Sequence, residues 1–95
     1  MEIDVADIVE SENGRDQGKA FFVVGTEESY VHIADGKSRK LEFPKRKKKK
    51  HVRFIKHGDC RTAEKLRSGD KVQNSEIRKA LAAFAAGAGQ MQGGL

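Results

Sequence analysis

Val9-Glu10-Ser11-Glu12-Asn13-Gly14-Arg15-Asp16-Gln17-Gly18-Lys19-Ala20-Phe21-Phe22-Val23-Val24 is the stretch on which the fold turns. Asn13-Gly14 and Gln17-Gly18 suit backbone with φ > 0, the conformation of tight loops. Ala20-Phe21-Phe22-Val23-Val24 is a short apolar run of strong β preference. The segment therefore reads as a strand, a tight polar loop carrying Arg15 and Lys19, and a second strand.

Outward from it, strand signals continue on both sides. Ile3, Val5, Ile8 and Val9 suggest a first strand whose alternation slips by one near Ala6-Asp7. After the polar turn Glu27-Glu28-Ser29, Tyr30-Val31-His32-Ile33-Ala34 forms a third strand, with Val31 and Ile33 on one face and Tyr30 and His32 on the other. Asp35-Gly36 is a hairpin signal. Arg39, Leu41 and Phe43 then alternate with Lys40 and Glu42 as a fourth strand, ended by Pro44. Residues 45–50 can bury nothing and are expected as a solvated basic arm, after which His51-Val52-Arg53-Phe54-Ile55-Lys56 resumes strand character. Short strands and tight turns over roughly sixty residues favour a small antiparallel barrel, which removes exposed sheet edges.

The second half changes period. Thr62 to Arg67 suits one or two helical turns, stopped by Gly69. Asn74 or Ser75 can cap a helix through Phe84, on which Ile77, Leu81 and Phe84 make one stripe expected to pack on the barrel. Gly87 is the expected stop. The expected organisation is a barrel over residues 1–60 with the arm at 45–50, a helical extension over 61–86, and a disordered tail over 87–95.

Only 37% of the 95 residues are apolar and Trp is absent, so the core is small and a large metabolite pocket is not expected. The single Cys60 rules out an intrachain disulfide and suits a reducing compartment. No apolar run approaches a membrane span and the N-terminus lacks signal-peptide character, so a cytoplasmic setting is expected. His51, His57 and Cys60, even with His32, are too few for a structural zinc site. Cys60 has no nucleophile pattern around it, and neither a phosphate-binding loop nor a dinucleotide fingerprint occurs. We expect no cofactor, no metal and no enzymatic activity.

The net charge is +5, unevenly spread. Up to Gly36 the acids Glu2, Asp4, Asp7, Glu10, Glu12, Asp16, Glu27, Glu28 and Asp35 face only Arg15 and Lys19. From Lys37 to Arg61 cations dominate, densest at Lys45-Arg46-Lys47-Lys48-Lys49-Lys50 with Arg53 nearby. Consecutive cations repel one another unless a polyanion joins them, and nucleic acid is the commonest polyanion. Lysine contact supplies affinity and positioning rather than sequence readout. Tyr30 and His32 read first as packing residues, with stacking on unpaired bases as the second reading. Phe54 alternates like a core residue.

The loop–strand pattern of residues 9–24, with Gly18 at the signature glycine, resembles the KOW motif of SH3-like barrels in ribosomal proteins and transcription–translation factors. Arg15-Asp16-Gln17-Gly18-Lys19, Tyr30 to Lys37, Arg39-Lys40-Leu41 and Pro44-Lys45 before the lysine tract resemble a bacterial family of KOW-domain RNA-binding proteins. That family is similar to the KOW-type large-subunit ribosomal proteins of archaea and eukaryotes. The resemblance spans about residues 5–44 and resumes over Asn74 to Leu81. It implies a mainly β, SH3-like (KOW) barrel of about five strands with a C-terminal α-helix. It also implies binding to RNA or the ribosome, with Arg15 and Lys19 from the motif loop and Lys37, Arg39 and Lys40 from the matching hairpin. Added to these on charge alone are Lys45, Arg46, Lys47, Lys48, Lys49, Lys50 and Arg53. The expected protein is a monomer that grips structured RNA, ribosomal RNA first, with ribosomal proteins as further partners. The rival expectation is a protein-interaction module docking on a ribosomal or transcription-machinery protein.

Overall fold

The computed structural model describes residues 2–93. Five strands form one antiparallel sheet: β1 (Ile8–Ser11), β2 (Ala20–Thr26), β3 (Tyr30–Ala34), β4 (Lys45–Lys48) and β5 (Val52–Lys56). A 3₁₀ turn, Lys49–His51, joins β4 to β5, and the helices α1 (Arg61–Ser68) and α2 (Asn74–Gly93) follow. The strand order is β4-β3-β2-β1-β5, so β5 returns from the far edge to pair with β1. Irregularities between Ile8 and Val9 in β1 and between Val23 and Gly25 in β2 accompany the coiling of the sheet. This mainly β fold with a C-terminal helix is consistent with an SH3-like barrel.

Alternation divides β2 between two cores. Phe21 and Val23 join Val9, Val31, Ile33 and Val52 on the inner face, with Ile3 packed against them. Phe22 faces the other way, where Ile8, Ala6, Ala63 of α1 and Ile77 of α2 enclose it. Leu81 and Phe84 extend that outer cluster, so the helical stripe packs on the sheet as expected.

The slip of alternation near Ala6 is a turn. Ala6 has φ 76°, unusual for a residue with a Cβ. Its N–H donates to the Val23 carbonyl at 2.7 Å, and the Asp7 N–H donates to the Asp4 carbonyl at 3.1 Å. The buried Asp7 carboxylate accepts from the Asp4 N–H at 2.8 Å and pairs with His57 Nδ1 at 2.7 Å. Gly58 packs so closely on the Ala6 carbonyl and on Ala63 that a Cβ there would overlap both.

The expected fourth strand over Arg39 to Phe43 is a double turn instead. The Asp35 carboxylate accepts the N–H groups of Lys37 and Arg39 at 2.9 and 2.8 Å, and the Ser38 hydroxyl at 3.0 Å. These bonds give the backbone an alternative to a ladder. The Phe43 N–H then donates to the Lys40 carbonyl at 3.0 Å, and Phe43 is left 84% exposed.

The largest correction concerns residues 45–50, expected as a solvated arm. Lys45–Lys48 is the edge strand β4, paired with β3 in the register Tyr30↔Lys48, Val31↔Lys47, His32↔Arg46 and Ile33↔Lys45. An edge strand needs little from its side chains, and lysines there block pairing with a further strand. Only Lys47 turns fully inward. Its stem is buried while its ammonium reaches out to a carbonyl, as long cationic side chains allow.

The helical expectations hold in part. α1 ends at Gly69, whose N–H closes on the last carbonyls of the helix. At the start of α2, neither Asn74 nor Ser75 supplies the cap. The Gln73 carbonyl accepts from the N–H groups of Glu76 and Ile77 at 3.0 and 3.2 Å, and Glu76 reaches back to the Gln73 N–H at 2.9 Å. The Asn74 side chain instead holds the neighbouring turn, accepting the Leu41 N–H and donating to Glu42, each at 2.8 Å. α2 also runs on through Gly87 and into the tail expected to be disordered, since the alanines of residues 80–86 favour helix by more than one glycine costs. The last two residues of that tail lie outside the described residues. Among the described residues no helix is long and apolar enough to cross a membrane.

Gly36 and Gly18 separate two kinds of glycine requirement. Gly18 has φ +84° with open space around it, whereas Gly36 has φ +77° and lies against the Asn74 carbonyl and Arg78. Gly18→Ala should cost about 1–2 kcal/mol of backbone strain. Gly36→Ala should cost roughly 1–3 kcal/mol more, because its Cβ displaces the first turn of α2. Urea denaturation of both variants checks this, and equal losses would show that α2 yields without cost.

Candidate nucleic-acid interface

The loop of residues 12–19 is stiffened by its own backbone. Gly18 donates to the Ser11 carbonyl at 2.8 Å, Lys19 to Asp16 at 3.0 Å, and Ser11 to Lys19 at 3.1 Å. β4 lies against this loop. Lys47 Nζ donates to the Asn13 carbonyl at 2.9 Å, in a position that brings it close to Gly14. Arg39 adds the second tie, its Nε 3.0 Å from Oδ2 of the buried Asp16. The loop singled out for its glycines and the lysine tract singled out for its charge thus meet at Lys47.

The expected cations split by function. Arg15, Lys19, Lys37, Lys40, Lys45, Lys48 and Lys50 are exposed, and among the described residues none of them makes an ion pair within 4.0 Å. Arg39 is committed to Asp16, Lys49 lies 3.8 Å from Glu2, and Arg53 on β5 pairs with Glu10 on β1. Lys47 is structural.

Arg46 belongs to a cluster that the sequence reading did not assemble. Its guanidinium binds both carboxylate oxygens of Glu27, at 2.8 and 2.9 Å, and lies 3.5 Å from the centroid of the Tyr30 ring. His32 Nε2 approaches the same carboxylate at 2.5 Å. The hydrogen bond from Arg46, joined by that from His32, holds the Glu27 carboxyl at a pKa of about 2. Tyr30 and His32 do share the face opposite Val31 and Ile33, and each is engaged by a polar neighbour there. Phe54 is only half-buried.

A second omission is Arg78. From α2 it donates to the Gly36 carbonyl at 2.6 Å and lines a surface recess of about 480 Å³ with Lys19, Lys37 and Ser38. Asp35 sits there too. Burial opposes its ionisation, yet the N–H groups of Arg39 and Lys37 hold its carboxyl below the usual range. Helical periodicity shows only that Arg78 leaves the apolar stripe; where it lands depends on the docking of α2.

His57 and Cys60, weighed as metal donors, lie elsewhere. His57 bridges Asp7 and Arg67, with Arg67 3.0 Å from its Nε2, and Cys60 is exposed just before α1.

Two outcomes follow from this geometry. Lys47→Met keeps the stem and loses the bond to Asn13, so stability should fall by about 1 kcal/mol in urea denaturation. The Glu27 carboxyl should titrate near pH 2 by NMR, and in Arg46→Ala its midpoint should move up toward 4.5. A depressed carboxylate stabilises the fold above its unfolded pKa, and that contribution is lost as pH falls from about 4.5 to about 2.

No model of a known protein family matches the chain, and no curated protein matches it.

Proposed function

We propose that the chain is an RNA-binding protein, a KOW-type barrel that grips the phosphates of structured RNA, ribosomal RNA first among them. It acts as a cytoplasmic monomer and not as an enzyme. The observation that carries this reading is the run of exposed cations, none in an ion pair among the described residues, from one stiff loop to the edge strand beside it. Arg15 and Lys19 lie on the loop, Lys37 lines a recess with Lys19, Lys40 follows in the β3–β4 connection, and β4 adds Lys45 and Lys48, with Lys50 just beyond. Such a surface releases counterions from a polyanion on binding. It reads shape rather than sequence, because lysine contacts to phosphate carry no base information and the A-form major groove excludes side chains.

Phe43 favours a second reading, docking on a ribosomal or transcription-machinery protein. It is 84% exposed on a turn pinned by Asn74, a position where an apolar ring gains nothing from the fold itself. Under that reading the lysines only steer encounter.

Replacing Lys45, Lys48 and Lys50 together with Ser, with Lys47 left in place, separates the readings. The fold should be unchanged, since all three side chains are exposed. Affinity for a structured RNA should drop at least about tenfold, and the log–log salt slope should become shallower by roughly two to three. The loss should be similar across unrelated RNA sequences. Unchanged affinity and slope would leave the lysines as guards of a sheet edge, and the docking reading would then stand on Phe43→Ser.

A further inference from the structure

Beside the cation surface lies a recess of about 590 Å³, lined by Glu28, Ser29, Tyr30, Lys48, Lys49 and Lys50. That volume falls within the roughly 300–1,000 Å³ of small-molecule sites. In it an aromatic ring and two cations outside any ion pair among the described residues, Lys48 and Lys50, line one concavity.

Ser29, Tyr30, Lys48 and Lys49 are each held by the fold. Arg46 lies over one face of the Tyr30 ring, 3.5 Å from its centroid, does not line the recess, and is itself clamped by both oxygens of Glu27, so it is not available to a phosphate. The Lys49 N–H donates to the Ser29 carbonyl at 2.9 Å, tying the 3₁₀ turn to the β2–β3 turn. Lys48 lies directly across from Tyr30 in the β3–β4 register. The ring is therefore a platform held in place before any ligand arrives, which lowers the cost of ordering it on binding.

A purely phosphate-binding site would not place a carboxylate at its rim. Glu28 is exposed there, and a carboxylate suits the exocyclic amine of a base. A planar π-surface, flanking ammonium groups and one acceptor together match a nucleotide and not an isolated anion. A base inside a duplex cannot reach such a recess, whereas a bulged one can be splayed out and stacked.

We infer that this recess takes one unpaired nucleotide of the bound RNA, its base stacked on Tyr30 and its flanking phosphates held by Lys48 and Lys50. This inference rests on the RNA-binding reading and adds a preference to it. The protein selects duplexes carrying a bulge or an unpaired junction, without reading the helix on either side.

The test compares two RNA hairpins of the same sequence, one fully paired and one with a single bulged adenosine, at fixed salt. The full-length protein should bind the bulged hairpin roughly tenfold more tightly, in the range that base–aromatic stacking supplies. With 2-aminopurine at the bulge, binding should quench its fluorescence. Tyr30→Phe should keep both the preference and the quenching. Tyr30→Leu should bring the affinity ratio to about one and abolish the quenching, with circular dichroism confirming the fold. Equal binding of the two hairpins by the wild type, or a preference that survives Tyr30→Leu, overturns the nucleotide subsite while RNA binding stands. Failure to bind either hairpin at low salt overturns the RNA reading and the subsite together.

Discussion

Strand β2 must be buried on both faces, and the rest of the molecule is arranged around that requirement. Phe21 and Val23 point into the barrel and Phe22 points out of it, each with no exposed surface. A lone sheet of this size would leave Phe22 in water, at a cost of about 1.5–3 kcal/mol. The two helices remove that exposure, Ala63 of α1 and Ile77 of α2 closing over Phe22 and Ile8. Close approach at that seam explains why Gly58 has no room for a Cβ and why Gly36 can abut the first residue of α2. It also explains how Ala6 is held at positive φ, since the turn that contains it is clamped between Val23 and the α1 side.

The same antiparallel meander decides the electrostatics. Along the chain the acids come first and the bases after, as if the molecule were divided. In space, strand pairing lays one half over the other: Glu10 of β1 meets Arg53 of β5, Asp16 meets Arg39, and Glu27 meets Arg46. Glu2, Glu10, Asp16 and Glu27, four of the nine acids up to Gly36, thus pair with cations of the basic segment. What remains for a polyanion is the surplus around the 12–19 loop and on β4. The exposed pairs among these, Glu10 with Arg53 and Glu27 with Arg46, contribute little stability one by one. Their larger effect is to determine which cations are free.

Several features were legible from local chemistry. The Asn13-Gly14 and Gln17-Gly18 loop, the apolar run of β2, the alternation of β3 and the stripe on α2 each depend on near neighbours, and each is where the residues imply. Strand β4 was not legible, because Lys-Arg-Lys-Lys carries no apolar period; its place comes from the backbone of β3 and one inward lysine. The decoy was Arg39 to Phe43, whose alternation is real but whose N–H groups are captured by Asp35 and Asn74. The Tyr30–Arg46–Glu27 cluster joins β3, β4 and the β2–β3 turn, and no linear reading could have placed the guanidinium on the ring. The stop expected at Gly87 failed for a simpler reason: glycine weakens a helix without ending one that alanines sustain.

That the lysines lie on a strand rather than an arm changes what they can do. A flexible arm could bring every cation to one phosphate track, but each long side chain and its backbone would have to be ordered on binding. On β4 the backbone is already fixed by β3, so that cost has been met in folding. The strand imposes a limit in return. Its side chains alternate, so Arg46 and Lys48 share the Tyr30 face while Lys45 and Lys47 lie on the other. No single phosphate track can engage them all, and Lys47 and Arg46 are already occupied. Under the RNA-binding proposal, fewer contacts, held rigidly and divided between two sides of an edge strand, fit a folded RNA with relief of its own better than a uniform helix.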